Sequence, residues 1–158
     1  MKNRLKYLII HCTATPAGRE VTPEDIRRWH LSPAPSGRGW RQVGYSDMIL
    51  LDGAVVNLVP YDDNAYVEPW EITNGVAGVN NVSRHVVYVG GCDANMKPKD
   101  TRTTAQRIAL IRYVFDVVRK HPGIIIAGHN QFAPKACPSF DVQEWLRKIG
   151  VKGRRGEG

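Results

Sequence analysis

Between residues 129 and 138 the chain reads His129-Asn130-Gln131-Phe132-Ala133-Pro134-Lys135-Ala136-Cys137-Pro138, which sets an imidazole, an ammonium and a thiol within nine residues. A second imidazole, His11, directly follows the apolar run Leu8-Ile9-Ile10. Two imidazoles and a thiolate are the ligand types of a catalytic zinc centre that keeps its fourth position open for water. Zinc in such a site lowers the pKa of its water to near 7 and so provides a nucleophile at neutral pH. Attack on an amide carbonyl builds negative charge on oxygen, which a positioned cation or donor stabilises. Lys135, two residues ahead of Cys137, and Tyr45, beside the space left by Gly44, are the candidates for that work; the plain alternatives are a solvated loop lysine and a core tyrosine. The expected chemistry is metal-assisted hydrolysis, with His11, His129 and Cys137 as ligands and a zinc ion as cofactor.

The remaining histidines and cysteines read as structural. His30 falls mid-helix beside Trp29, His85 begins a strand, and His121 suits a helix C-terminus, where a cation favours the dipole. Cys12 follows His11 on a strand and therefore points to the opposite face, toward the core. Cys92, after Gly90-Gly91, reads as a small structural or exposed thiol. Three cysteines in a chain of this length do not make a disulfide framework.

Several elements must position these groups. Residues 5–12 read as a buried strand, and a strand ending in Gly128 delivers His129 to a sheet edge, with a Pro-punctuated loop returning Lys135 and Cys137 toward it. Thr22-Pro23-Glu24-Asp25 starts a helix that carries Ile26, Trp29 and His30. Tyr45 to Leu51 and Ala54 to Val59 flank Asp52-Gly53 as a hairpin. Residues 61–84 form a long irregular excursion, and His85 to Val89 a further buried strand. Thr103 with Gln106 makes a capping box for a helix whose apolar face is Ile108, Ile111, Phe115 and Val118. A last helix, capped by Asp141, buries Val142, Trp145 and Leu146. Strands mixed with helices predict one α/β domain with a mostly buried sheet over residues 1–150, followed by a basic tail, 151–158.

Composition bounds the partners. The formal charge of +7 suits an anionic partner, whether nucleic acid, membrane surface or cell-wall polymer. No DNA-binding motif or dense aromatic-basic interleaving occurs, so nucleic acid is not expected. No apolar run approaches the length of a membrane span, and the basic start is followed by too short an apolar stretch for a secretion signal. The chain is expected to be cytoplasmic as made, and a monomer.

The ordered motifs carry a resemblance. Ile10-His11-Cys12-Thr13-Ala14-Thr15, Asp25-Ile26-Arg27-Arg28-Trp29-His30, Gly39-Trp40, Val43-Gly44-Tyr45, Asp52-Gly53 and Tyr88-Val89-Gly90-Gly91 occur in one order. Lys97 to Thr103, Gly128-His129 and Lys135-Ala136-Cys137-Pro138-Ser139-Phe140-Asp141 complete the series. The set resembles the type 2 N-acetylmuramoyl-L-alanine amidases, the family of phage amidase endolysins and peptidoglycan recognition proteins, up to about Leu146. The resemblance implies a central mixed sheet flanked by helices. It also implies zinc on His11, His129 and Cys137, a catalytic tyrosine and lysine at Tyr45 and Lys135, and cleavage of the amide joining N-acetylmuramic acid to L-alanine in cell-wall peptidoglycan. A non-catalytic peptidoglycan-fragment binder and a phage regulatory protein that binds a polymerase are the alternatives within that resemblance.

Four departures stand out. Tyr45 is followed by Ser46-Asp47 rather than an aromatic pair. The segment Thr73 to Asn80 lacks the histidine that relatives often carry, and Ser83-Arg84-His85 replaces the usual Ser-Ile-Gly. The segment Pro33 to Arg38 extends the link into Gly39-Trp40; it reads either as a wall of the substrate groove, with Arg38 facing stem-peptide carboxylates, or as a surface insertion with a solvated Arg38.

Overall fold

The computed structural model describes residues 2–151, so most of the expected basic tail lies outside the described residues. In chain order the elements are β1 (Asn3–Arg4), β2 (Tyr7–Cys12), β3 (Thr15–Pro16), α1 (Pro23–Leu31), β4 (Asp47–Ile49), β5 (Val55–Asn57) and β6 (Tyr66–Val67). They continue with β7 (Ser83–Tyr88), β8 (Gly91–Cys92), α2 (Thr104–Lys120), β9 (Ile125–Gly128) and α3 (Val142–Ile149). The central sheet has the order β5-β4-β7-β2-β9; all its pairings are parallel except β4 with β5. This is the mixed, helix-flanked sheet that the resemblance implied.

Both faces of the sheet are covered, and the side-chain period of two divides each strand between them. Leu8, Ile10 and Cys12 of β2, with Val86 and Tyr88 of β7, pack under α2 and α3 against Leu110, Val114 and Leu146. On the other face Met48, Val87 and Val89 meet Ile26 and Trp29 of α1. Cys12 thus enters the core, as its place beside His11 predicted.

The helix starts follow their sequence signals. Thr22 accepts from the Asp25 N–H at 3.1 Å while Asp25 accepts from the Thr22 N–H at 2.9 Å. Thr103 and Gln106 make the same reciprocal pair, and Asp141 caps α3 through the Glu144 N–H. Beyond α3 the chain turns at Gly150, whose φ of +80° is left-handed, and buries Val151. The hairpin at Asp52-Gly53 forms with shorter strands than expected.

The apolar face of α2 differs from expectation. Ile108 and Phe115 are 48% and 46% exposed, while Leu110, Val114 and Val117 form the buried stripe. Ile111 and Val118 sit at its margin. The helix carries apolar residues over a sector wider than one stripe, so periodicity alone leaves its rotation open by about one residue. The excursion at 61–84 is also less loose than its composition suggests. It holds β6, paired with β1, and a buried Glu71 that accepts from the N–H groups of Asp62 and Glu68, each at 2.9 Å. Among the described residues, no helix is long and apolar enough to cross a membrane.

Gln106 ties α2 to the sheet from a fully buried position. Its amide donates to the Val89 carbonyl at 2.9 Å and its oxygen accepts from the Thr103 N–H at 2.9 Å. Gln106→Ala leaves both backbone groups without these partners. Urea unfolding is expected to show a loss of about 2 kcal/mol; a change within about 0.5 kcal/mol would show the tie to be dispensable.

Candidate active site

Two strand ends and one loop build the site. His11 is the penultimate residue of β2, and its pairing with β7 and β9 directs it to the α1 face. His129 follows the last residue of β9, an edge strand of the sheet, and opens a short 3-10 turn. The loop then returns Cys137, whose carbonyl accepts from the Asn130 N–H at 2.8 Å. The buried Tyr88 phenol donates to the Pro138 carbonyl at 2.6 Å and clamps the same loop from β7. Finally, the Cys12 N–H donates to Cys137 Sγ at 3.2 Å.

One ligand atom from each of His11, His129 and Cys137 lies within 4.8 Å of the others. The His11 Nδ1 to Cys137 Sγ separation is 3.7 Å. Tetrahedral zinc with ordinary Zn–N and Zn–S lengths spans about 3.6 Å between those donors. The donor set and its spacing fit zinc.

Electrostatics favour a neutral cluster. Burial holds His11 well below its ordinary value, with His85 and His129 adding to the effect. Burial, followed by the Lys135 ammonium, lowers His129. Hydrogen bonding to the Cys12 thiol, followed by burial, holds the Cys137 thiol above its usual range. The imidazoles therefore offer lone pairs at neutral pH, while the thiol must release a proton to a metal that binds it.

These groups open onto a cleft of about 900 Å³ whose lining includes Trp40, Tyr45, Arg38, Arg41 and Lys135. Among the described residues, three cations and no carboxylate line it. The Arg38 guanidinium stacks over the Trp40 ring at 5.0 Å, so the end of the Pro33–Arg38 segment does reach the cleft wall. Tyr45 packs its ring 5.1 Å from that of His11, and burial, then Cys137, keeps its phenol protonated. Lys135 is exposed at the rim.

All five residues singled out in the sequence thus meet in one cleft. Sequence reasoning missed the histidines that support them. His30 accepts from the Gly44 N–H at 2.9 Å and fills the space beside Gly44, where an added Cβ would lie 3.1 Å from its ring. His85 contacts His11 itself, at 2.9 Å. The sequence marked His11 and His85 as strand residues, but only the register, which the structure supplies, puts them on one face. His121, by contrast, is the C-cap of α2, as read.

Burial, then Arg38, pulls His30 down to about 4. The unfolded chain takes up a proton near pH 6.5 that the folded chain refuses until about pH 4. The stability tied to neutral His30 is therefore complete above about pH 6.5 and is lost as pH falls through that window. In urea titrations of metal-free protein, His30→Asn, which keeps an acceptor for Gly44 without titrating, should lose less stability between pH 7 and 4 than the wild type. Equal slopes would show that His30 titrates as freely folded as unfolded.

Known proteins resemble this chain in sequence and in fold. The sequence profile of the N-acetylmuramoyl-L-alanine amidase family matches residues 1–140. The endolysin of Klebsiella phage KP32 is 36% identical over 147 residues, covering 93% of this chain and 89% of that protein. The solved Ph2119 endolysin from Thermus scotoductus MAT2119 bacteriophage Ph2119 shares the fold, with a TM-score of 0.69 at 24% identity over 95% of this chain and 87% of its own. Drosophila PGRP-LB does so with a TM-score of 0.68 at 18% identity, over 100% of this chain and 91% of its own.

Proposed function

Because the chain belongs to the N-acetylmuramoyl-L-alanine amidase family, we propose that its cleft performs zinc-dependent hydrolysis of the amide between the lactyl group of N-acetylmuramic acid and L-alanine in cell-wall peptidoglycan. The observation that carries this reading is the convergence of His11, His129 and Cys137, three zinc-type donors, on the floor of a cationic cleft. Zinc held there would supply Lewis acidity toward water and the scissile carbonyl.

The chain's own residues do the rest. Lys135 sets an ammonium at the rim, where it can stabilise negative charge developing on the carbonyl oxygen. The protonated Tyr45 phenol sits beside the ligand His11 and can donate to the same oxygen or orient water. Arg38 and Arg41 give the wall a charge complementary to the carboxylates of a peptide stem, and Arg38 presents a fork suited to bidentate pairing. The ligand-bearing cysteine speaks against a purely binding role, since recognition of a muropeptide needs no thiolate beside two imidazoles.

Digestion of purified peptidoglycan with zinc-loaded protein, followed by mass spectrometry of the new termini, tests the reading. New L-alanine amino termini are expected; new reducing sugars would overturn it. Cys137→Ala is expected to release none and to hold far less than one zinc per chain by elemental analysis.

Lys135→Ala separates catalysis from metal binding. It should keep its zinc and fold yet lose about 100-fold in turnover, equivalent to roughly 3 kcal/mol of transition-state stabilisation. Unchanged turnover would reduce Lys135 to a solvated rim cation.

A further inference from the structure

His85 reaches the metal-binding cluster from a neighbouring strand. In the parallel pairing of β2 with β7, His11 lies opposite Val87 and Ile9 opposite His85. Side chains two apart share a face, so His85 sits diagonally across from His11 on the α1 side. Both rings are fully buried, with centroids 5.0 Å apart.

One backbone group fixes the direction of every proton in the chain of contacts. The Val76 N–H, which can only donate, points at Asn80 Oδ1 from 2.8 Å, so that atom is the amide oxygen and not its nitrogen. The oxygen can only accept; His85 Nε2, 2.9 Å away, must therefore carry a hydrogen. In a neutral ring that leaves a lone pair on His85 Nδ1, which faces His11 Nε2 at 2.9 Å. His11 then donates from Nε2 and keeps its lone pair on Nδ1, the nitrogen turned toward Cys137 Sγ.

The ring of His85 occupies space that a side chain at position 75 would need. A Cβ added to Gly75 would lie 2.4 Å from His85 Nδ1 and 2.6 Å from its Cγ. Gly75 lies in the irregular segment that faces β7, and His85 is the third residue of that strand. The two positions are therefore one arrangement: an imidazole enters from the strand, and the loop residue facing it is glycine.

We propose that His85, held by Asn80 and admitted by Gly75, is a positioning residue that sets the tautomer and ring angle of His11 so that Nδ1 is presented to the metal. This rests on the zinc reading of His11, His129 and Cys137. A carboxylate or carbonyl partner commonly fixes a ligand histidine in this way, and loss of such a partner weakens metal binding by about 10- to 100-fold. Here a second, buried imidazole takes that place.

Long-range proton–nitrogen correlation spectra of metal-free protein near pH 7.5 read the tautomers directly. The wild type should show His11 protonated on Nε2 and bare on Nδ1; the opposite tautomer overturns the proposal whether or not any variant folds. Competition with a chelator then gives zinc affinity. His85→Leu should weaken it about 10- to 100-fold, and His85→Asn, which restores an acceptor near the position of Nδ1, should recover most of the loss. Gly75→Ala keeps His85 but displaces its ring, so it should weaken binding as well. That cost should vanish in a His85→Ala background, where no ring is left to clash. Zinc binding as tight in His85→Leu and Gly75→Ala as in the wild type would sink the role of His85 alone. Wild-type protein that takes up no zinc would instead sink the metal reading on which it rests.

Discussion

The register of β2 between β7 and β9 is the constraint on which the site and both cores depend. Parallel pairing on each side sets His11 opposite Val87 and Ile10 opposite Gly128, so one strand delivers apolar residues to α2 and α3 and an imidazole to the α1 face. A slip of one residue would turn His11 into the core and Cys12 into the cleft. Burial of Leu8, Ile10 and Cys12 on one side and of Ile9 on the other opposes any such slip. The forces that hold the core thus also fix the face on which His11 lies, while its ring angle is left to the side chains around it.

Cys137 is fixed differently, because its loop has no ladder of its own. Contacts from three elements hold it: the Asn130 N–H on its carbonyl, the Tyr88 phenol on the carbonyl of Pro138, and the Cys12 N–H on its sulfur. Two of those donors belong to β7 and β2, so the sheet that positions His11 also positions the loop. The buried floor keeps the imidazoles neutral, whereas Lys135, Arg38 and Arg41 stand at the more open wall and rim. A neutral floor offers lone pairs to a cation, and a cationic wall suits an anionic polymer; the cleft separates the two by depth.

Much of this could be read from residue types in local order. The caps at Thr22, Thr103 and Asp141 formed as expected, because each needs only contacts within one turn. The Asp52-Gly53 hairpin formed for the same reason, with Gly53 at φ +87°. The rotation of α2 was not legible. Its apolar residues span more than one stripe, and only the facing sheet selects Leu110, Val114 and Val117 over Ile108 and Phe115.

The site divides along the same line. The sequence by itself determined the donor types, their places at strand ends and in one loop, the sign of the charge around them, and the family to which the motif order points. Tertiary structure alone decided that His85 and Asn80 complete the surroundings of His11, that Gly75 makes room for them, and that His30 props Gly44 beside Tyr45. His11 and His85 are 74 residues apart, and which of their ring nitrogens meet depends on strand register and ring rotation. Local preference carries no information about either, because both are set by packing across the whole sheet.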